Sequence, residues 1–270
     1  MTSLNTGYVI ENLQDRDNLL ITVGDSWTAG FGAYDGNTLK KIKDGEVNPA
    51  SLGVGSTNYF KEYSYPWLLS QKLNWDLINL GEGAISNTGC SRKLFDYDIT
   101  RKVDYRKYKK IVLIFLMTSH KRYTFYSGKQ FLKILPTFKD DKKKEIADAC
   151  FNFFDSYVNK DALDPVYESR FAVRTIEAYC KAHNITFLYG SAFLRISEFN
   201  QIYDTPENLH RYLDRAKQAI SEYLFYENFN KKNQKQDPRY FSPCGHPNRF
   251  GYQIITDNLY KDLYDLYFKK

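Results

Sequence analysis

The run Ile111 to Met117, IVLIFLM, sets seven apolar residues side by side, and no other stretch restricts the fold as strongly. A strand with one wet face alternates apolar and polar residues, and a surface helix repeats its apolar residues every three to four positions. An unbroken run of this length belongs to a strand covered on both faces, as in a parallel sheet between helices. Shorter runs repeat the theme at Leu19 to Val23, Trp75 to Leu80 and Ile185 to Tyr189. Segments with helical spacing stand between and after them. They are Tyr65 to Leu73, Pro165 to Ala182 (with Phe171, Ile176, Tyr179 and Cys180 apolar), Pro206 to Phe225, and Asn248 to Tyr267 (with Tyr252, Ile255, Leu259, Leu263 and Leu266 on one face). Four strands alternating with helices, joined by loops and not by hairpin signals, predict an α/β fold. Its form is a three-layer α/β/α domain around a parallel central sheet, with chemistry at the C-terminal strand ends.

A chain of 270 residues suits one such domain, so residues 1–270 are read as a single unit. Two stretches interrupt the alternation. Residues 29–63 are rich in Gly, Asn, Ser and Asp and read as a long surface excursion. Residues 121–164 lose clean periodicity, mix Lys-rich patches with aromatic clusters, and read as an inserted, lid-like segment broken at Pro136. Hydrophobic residues at 43% and charged residues at 26% exclude whole-chain disorder. The net charge of +6 falls short of a nucleic-acid signature, and the basic runs Arg101 to Lys110 and Lys142 to Lys144 read as solvated faces. No nucleic-acid partner is expected. No apolar run approaches 18 residues and no secretion leader is visible, so neither membrane insertion nor export is expected; the expected location is the cytoplasm or a virion. Cys90, Cys150, Cys180 and Cys244 lack metal-ligand spacing, so reduced thiols and no metal or cofactor are expected.

Ser26, in VGDSWT, follows the first of these strands. A serine at a strand-to-helix turn exposes its hydroxyl above the sheet, where backbone N–H groups of the turn can bind an anion. A nucleophilic serine needs a base, and the chain has four histidines. His246 lies ahead of the last helix in SPCGHPN, on a loop at a sheet end; Pro247 suits a first helical turn. His183 and His210 read as structural. His120 follows the central strand and is a candidate substrate contact.

GDSWT after the first strand, NLGEGAISN after the second, and HPNRFG before the last helix together resemble the SGNH/GDSL hydrolases. The GDSWT spelling, the strand-TS-x-x-R turn and the HPN ending are most similar to phage-encoded members. The resemblance spans most of the chain and implies a flavodoxin-like sheet and a serine esterase. Ser26 would be the nucleophile and His246 its base. The oxyanion would be held by the N–H groups of Ser26 and Gly83 and by a third donor. The family's asparagine is replaced there by Ser119, with Asn87 as a substitute donor. The family's acid also departs: Pro243 and Cys244 stand where its Asp would be. Asp237, nine residues before His246, is the remaining candidate acid if its loop folds back. Loss of the acid costs on the order of 10⁴ in rate, about 5 kcal/mol.

The expected function is therefore a serine esterase or deacetylase acting on a small-molecule or glycan ester through an acyl-enzyme on Ser26. The missing Asp and Asn favour an alternative: an SGNH-fold protein that binds glycans or builds a virion, with virion assembly partners, and does not cleave. A flavodoxin-like nucleotide binder is a third reading, weakened by the absence of GxGxxG and GxxxxGK[ST] motifs.

Overall fold

The computed structural model describes residues 9–47, 61–118, 122–126, 131–134, 163–192, 239–242 and 245–267. Its strands are β1 (Ile10–Asn12), β2 (Asn18–Gly24), β3 (Asp76–Asn79), β4 (Lys110–Met117), β5 (Tyr123–Tyr126), β6 (Phe131–Ile134) and β7 (Thr186–Ser191). Among the described residues five of them form one sheet in the order β1-β3-β2-β4-β7, and β5 pairs with β6 as a separate antiparallel hairpin. β2 is the pivot. It runs parallel to β3, with Thr22 opposite Asn79, and to β4, with Gly24 opposite Leu116. β4 pairs in parallel with β7, and only β1 is antiparallel, at the edge of β3. The run Ile111 to Met117 is buried throughout, as a strand covered on both faces must be.

The helices are α1 (Ser26–Ala29), α2 (Gly36–Lys43), α3 (Tyr65–Leu73), α4 (Asn87–Arg101), α5 (Leu163–Ala182) and α6 (Arg249–Tyr267). From β2 the chain steps to β3 on one side, then passes back across to β4 on the other. Right-handed crossovers then put α3 and α4 on opposite faces of the sheet. α3 packs beside α6 and α4 beside α5, so the mostly parallel sheet is flanked by two helix pairs. The reversal beside β2 opens a crevice at the carboxyl ends of β2 and β4, where ligands bind in open α/β sheets.

Several elements depart from the sequence reading. β1 adds an antiparallel edge strand too short for periodicity to reveal. α2 occupies part of the expected surface excursion, and α4, which no assignment covered, carries the chain from β3 to β4. The first described residues of the expected insertion form the β5–β6 hairpin. On α5, Phe171 is 64% exposed while Ser169, Ala172, Val173, Ile176 and Cys180 are buried. That stripe follows the 3.6-residue period, and Phe171 falls beside it. The expected helix from Pro206 to Phe225 lies outside the described residues, as does most of the expected insertion.

Local chemistry explains the helix ends. Asp25 and Ser86 cap α1 and α4, their side chains accepting from Trp27 N and Gly89 N. Pro66 sits in the first turn of α3, and Asn74 closes that helix in the left-handed region. α4 ends on Lys102 at φ 51°, a conformation that costs a side chain with a Cβ. Beneath the turn that follows β3, Lys93 Nζ pairs with Glu82 at 2.9 Å, their side chains 4% and 11% exposed.

Three stability changes follow from these contacts. Lys102→Gly should stabilise the protein by about 0.5–1 kcal/mol, read as a higher midpoint in urea. Lys93→Met should destabilise it by about 3–5 kcal/mol by stranding Glu82, and Lys93→Met/Glu82→Leu should recover most of that loss. A Cβ on Gly81 would lie 2.3 Å from Ala29 N, so Gly81→Ala should cost about 1–3 kcal/mol in the same measurement.

Candidate active site

At the end of β2 the chain turns sharply into the single helical turn α1. Asp25 Oδ1 accepts from Trp27 N at 3.0 Å, and Gly30, in the left-handed region, donates its N–H to Ser26 O and Trp27 O. Ser26 is thereby the first residue of the turn, 7% exposed, and its own N–H has no acceptor among the described residues. Asn79, at the end of β3, holds this turn from below. Its Oδ1 accepts from Thr22 Oγ1 at 3.0 Å and from Gly81 N at 2.9 Å, and its Nδ2 donates to Thr28 O at 2.9 Å. Thr28 Oγ1 meets the buried Tyr65 hydroxyl at 3.2 Å. Asn79 opens the NLGEGAISN motif, and the sequence gives it no role of its own there.

His246 reaches Ser26 from 220 positions away: Nε2 lies 2.8 Å from Ser26 Oγ. The hairpin that carries it is specified locally. Gly245 N donates to Ser242 O at 2.9 Å and Ser242 N to His246 O at 2.8 Å, while Phe241 bridges Pro247. Asn248 then caps α6, its Oδ1 accepting from Gly251 N at 3.0 Å. The hairpin docks on the segment just after α1. Ser242 Oγ donates to Gly32 O, and Tyr252 Oη donates to Phe31 O at 2.7 Å. Gly32 has φ +90°, and a Cβ there would stand 2.7 Å from His246 Cβ, so only glycine admits the histidine this close. The Phe31 ring lies 5.7 Å from the imidazole at 36° and forms the other side of its slot.

Gly83 lies against the same Phe31 ring; its missing Cβ would stand 3.2 Å from Phe31 Cζ. The turn after β3 is thus brought to the serine–histidine pair, with neighbouring Ala84 held at φ 62°. Asn87 does something other than the expected oxyanion donation. Its Nδ2 donates to Ser169 Oγ at 2.8 Å and to Thr118 O at 3.2 Å, and its Oδ1 accepts from Thr118 N at 2.9 Å. Both amide hydrogens are committed, so Asn87 staples α4 and α5 to the end of β4. Ser119, His120 and Asp237 lie outside the described residues. The His183 ring lies 4.5 Å from that of Tyr179, tilted by 39°, away from Ser26 at the end of α5.

Two features fix the electrostatics. Asp25 is fully buried, and its Oδ2 accepts from Thr118 Oγ1 at 2.9 Å and Arg122 Nη1 at 2.8 Å. The nearby thiol of Cys90 is pushed far above its ordinary range, first by burial and then by the Asp25 carboxylate. A thiol held protonated is a poor nucleophile. Among the described residues no group of three or more His, Cys, Asp or Glu is arranged to hold a metal ion, and no helix is long and apolar enough to cross a membrane.

No family model matches the sequence, and no characterised protein matches it in a sequence comparison. Solved structures do match. The acetyl xylan esterase Est2A from the rumen bacterium Butyrivibrio proteoclasticus shares 12% identity at a TM-score of 0.48, over 94% of this chain and 65% of that one. A family two carbohydrate esterase from Clostridium thermocellum, in complex with cellohexaose, shares 12% at 0.44, over 93% and 64%. The psychrotrophic esterase EstA from Pseudoalteromonas sp., inhibited by monoethylphosphonate, shares 13% at 0.42, over 93% and 98%. The chain spans about two thirds of the length of the first two. All three are named as esterases.

Proposed function

We propose that this chain is a serine esterase that deacylates carbohydrate through an acyl-enzyme on Ser26. The observation that carries the reading is the 2.8 Å contact between His246 Nε2 and Ser26 Oγ at the crevice end of a parallel sheet. As Oγ attacks the ester carbonyl, its proton passes to Nε2, and the carbonyl oxygen becomes an oxyanion facing the N–H groups of Ser26 and Gly83. The C–O bond to the sugar then breaks, and the imidazolium returns its proton to the departing hydroxyl. Water repeats the sequence on the acyl-enzyme: His246 takes its proton, the carboxylic acid leaves, and Ser26 recovers its hydrogen.

A carbohydrate substrate suits the hairpin that carries His246 together with the first turn of α6. Tyr240 and Phe250 stack there at 12° and 5.7 Å, with Phe250 58% exposed and the Arg239 guanidinium 5.3 Å from the Tyr240 ring. Flat aromatic faces of this kind accept the C–H face of a pyranose. The binding-only reading draws on Pro243 and Cys244, which supply no carboxylate beside the histidine.

Hydrolysis of p-nitrophenyl acetate decides between them. Wild type should hydrolyse it well above background. Ser26→Ala and His246→Ala, checked for folding, should each lose about 10³-fold or more in kcat. Equal rates for all three proteins would leave binding as the function.

A further inference from the structure

Arg122 lies five positions beyond the end of β4, and the chemistry assigned to Ser26 and His246 does not use it. Its Nη1 donates to Asp25 Oδ2 at 2.8 Å, and its side chain is 19% exposed while that of Asp25 is wholly buried. Asp25 is also the cap of α1 and the residue immediately before the nucleophile. One carboxylate therefore has two consequences. Through Oδ1 it fixes Trp27 N and with it the pitch of the serine turn. Through its charge it opposes any negative charge that develops next to Ser26, and in a low-dielectric crevice that opposition is strong.

We propose that Arg122 is a positioning residue for the nucleophilic turn: its guanidinium fixes the Asp25 carboxylate and cancels its charge where the oxyanion forms. The proposal rests on the esterase reading of Ser26 and His246. Thr118 contributes a neutral hydrogen bond to the same oxygen, so it orients the carboxylate without balancing it. The Glu82–Lys93 pair is already internally neutral. Arg122 thus supplies the charge that Asp25 lacks.

The test uses Arg122→Gln, Arg122→Lys and Asp25→Asn/Arg122→Gln in the full chain. Fluorophosphonate labelling of Ser26, kcat and KM for p-nitrophenyl acetate, and melting temperature are measured for each. Arg122→Gln should label Ser26 about 10²-fold more slowly and lose a similar factor in kcat, with KM within about threefold of wild type. Arg122→Lys should recover at least about tenfold of that loss. The double variant should recover a similar factor, because asparagine still caps Trp27 N and leaves no charge to balance. If Arg122→Gln does not fold, the neutral double variant should fold and label within about tenfold of Arg122→Lys. Labelling of Arg122→Gln at the wild-type rate overturns the proposal alone. A raised KM with unchanged kcat overturns it by making Arg122 a substrate contact, and a double variant as unreactive as Ser26→Ala overturns it too. A wild type that does not label at all removes the esterase reading, and this proposal with it.

Discussion

The serine turn is held in place by one buried amide. Asn79 has a single side chain with which to tie the interior of β2, the turn after β3 and the C-terminal carbonyl end of α1, and it makes a hydrogen bond to each. A buried amide is tolerated only when its donors and acceptors are used, so the three contacts form together or the site costs stability. Gly81 completes the arrangement by letting its backbone lie directly against Ala29. The position of Ser26 above the sheet therefore depends on groups drawn from two neighbouring strands, and this ties the geometry of the turn to the register of the β2–β3 pair.

The histidine reaches the same point by a different construction. It belongs to no strand of the sheet, and its hairpin is docked on residues 31–32 through the Ser242 and Tyr252 hydroxyls and through close packing at Gly32. Those residues directly follow α1, so the base is referenced to the serine turn itself. A shift of the turn relative to the sheet would carry the docking surface with it. Side chains held by packed neighbours keep reacting groups aligned, and alignment is a large part of what an active site contributes to rate.

The sheet was legible in the sequence because a doubly covered strand leaves an unbroken run of apolar residues, and IVLIFLM is a run of strand length. The motif residues were legible because Ser26 and His246 each sit beside a turn residue with a steric reason to be there. Other features left no such trace. β1 is three residues long, below the length at which alternation means anything. α4 carries buried Ser91 and Lys93, so its inward face does not read as apolar. Asn87 looked like an oxyanion donor because an asparagine near a catalytic strand end fits that role. Its commitment to Thr118 and Ser169 depends on α5, which arrives more than seventy residues later in the chain. Nothing local announces such a partner, and the same holds for Asn79 and for the pairing of Asp25 with Arg122.

Charges around the crevice explain how a serine–histidine pair can be built without a carboxylate two or three residues before the histidine. A triad acid orients the imidazole and stabilises its positive form. Here Phe31 flanks the ring and Gly32 underlies its Cβ. The local acids are held in pairs, Asp25 with Arg122 and Glu82 with Lys93. Neither pair leaves net charge beside the serine. In the proposed acyl transfer the imidazolium and the oxyanion form side by side and stabilise each other across a short, partly buried distance.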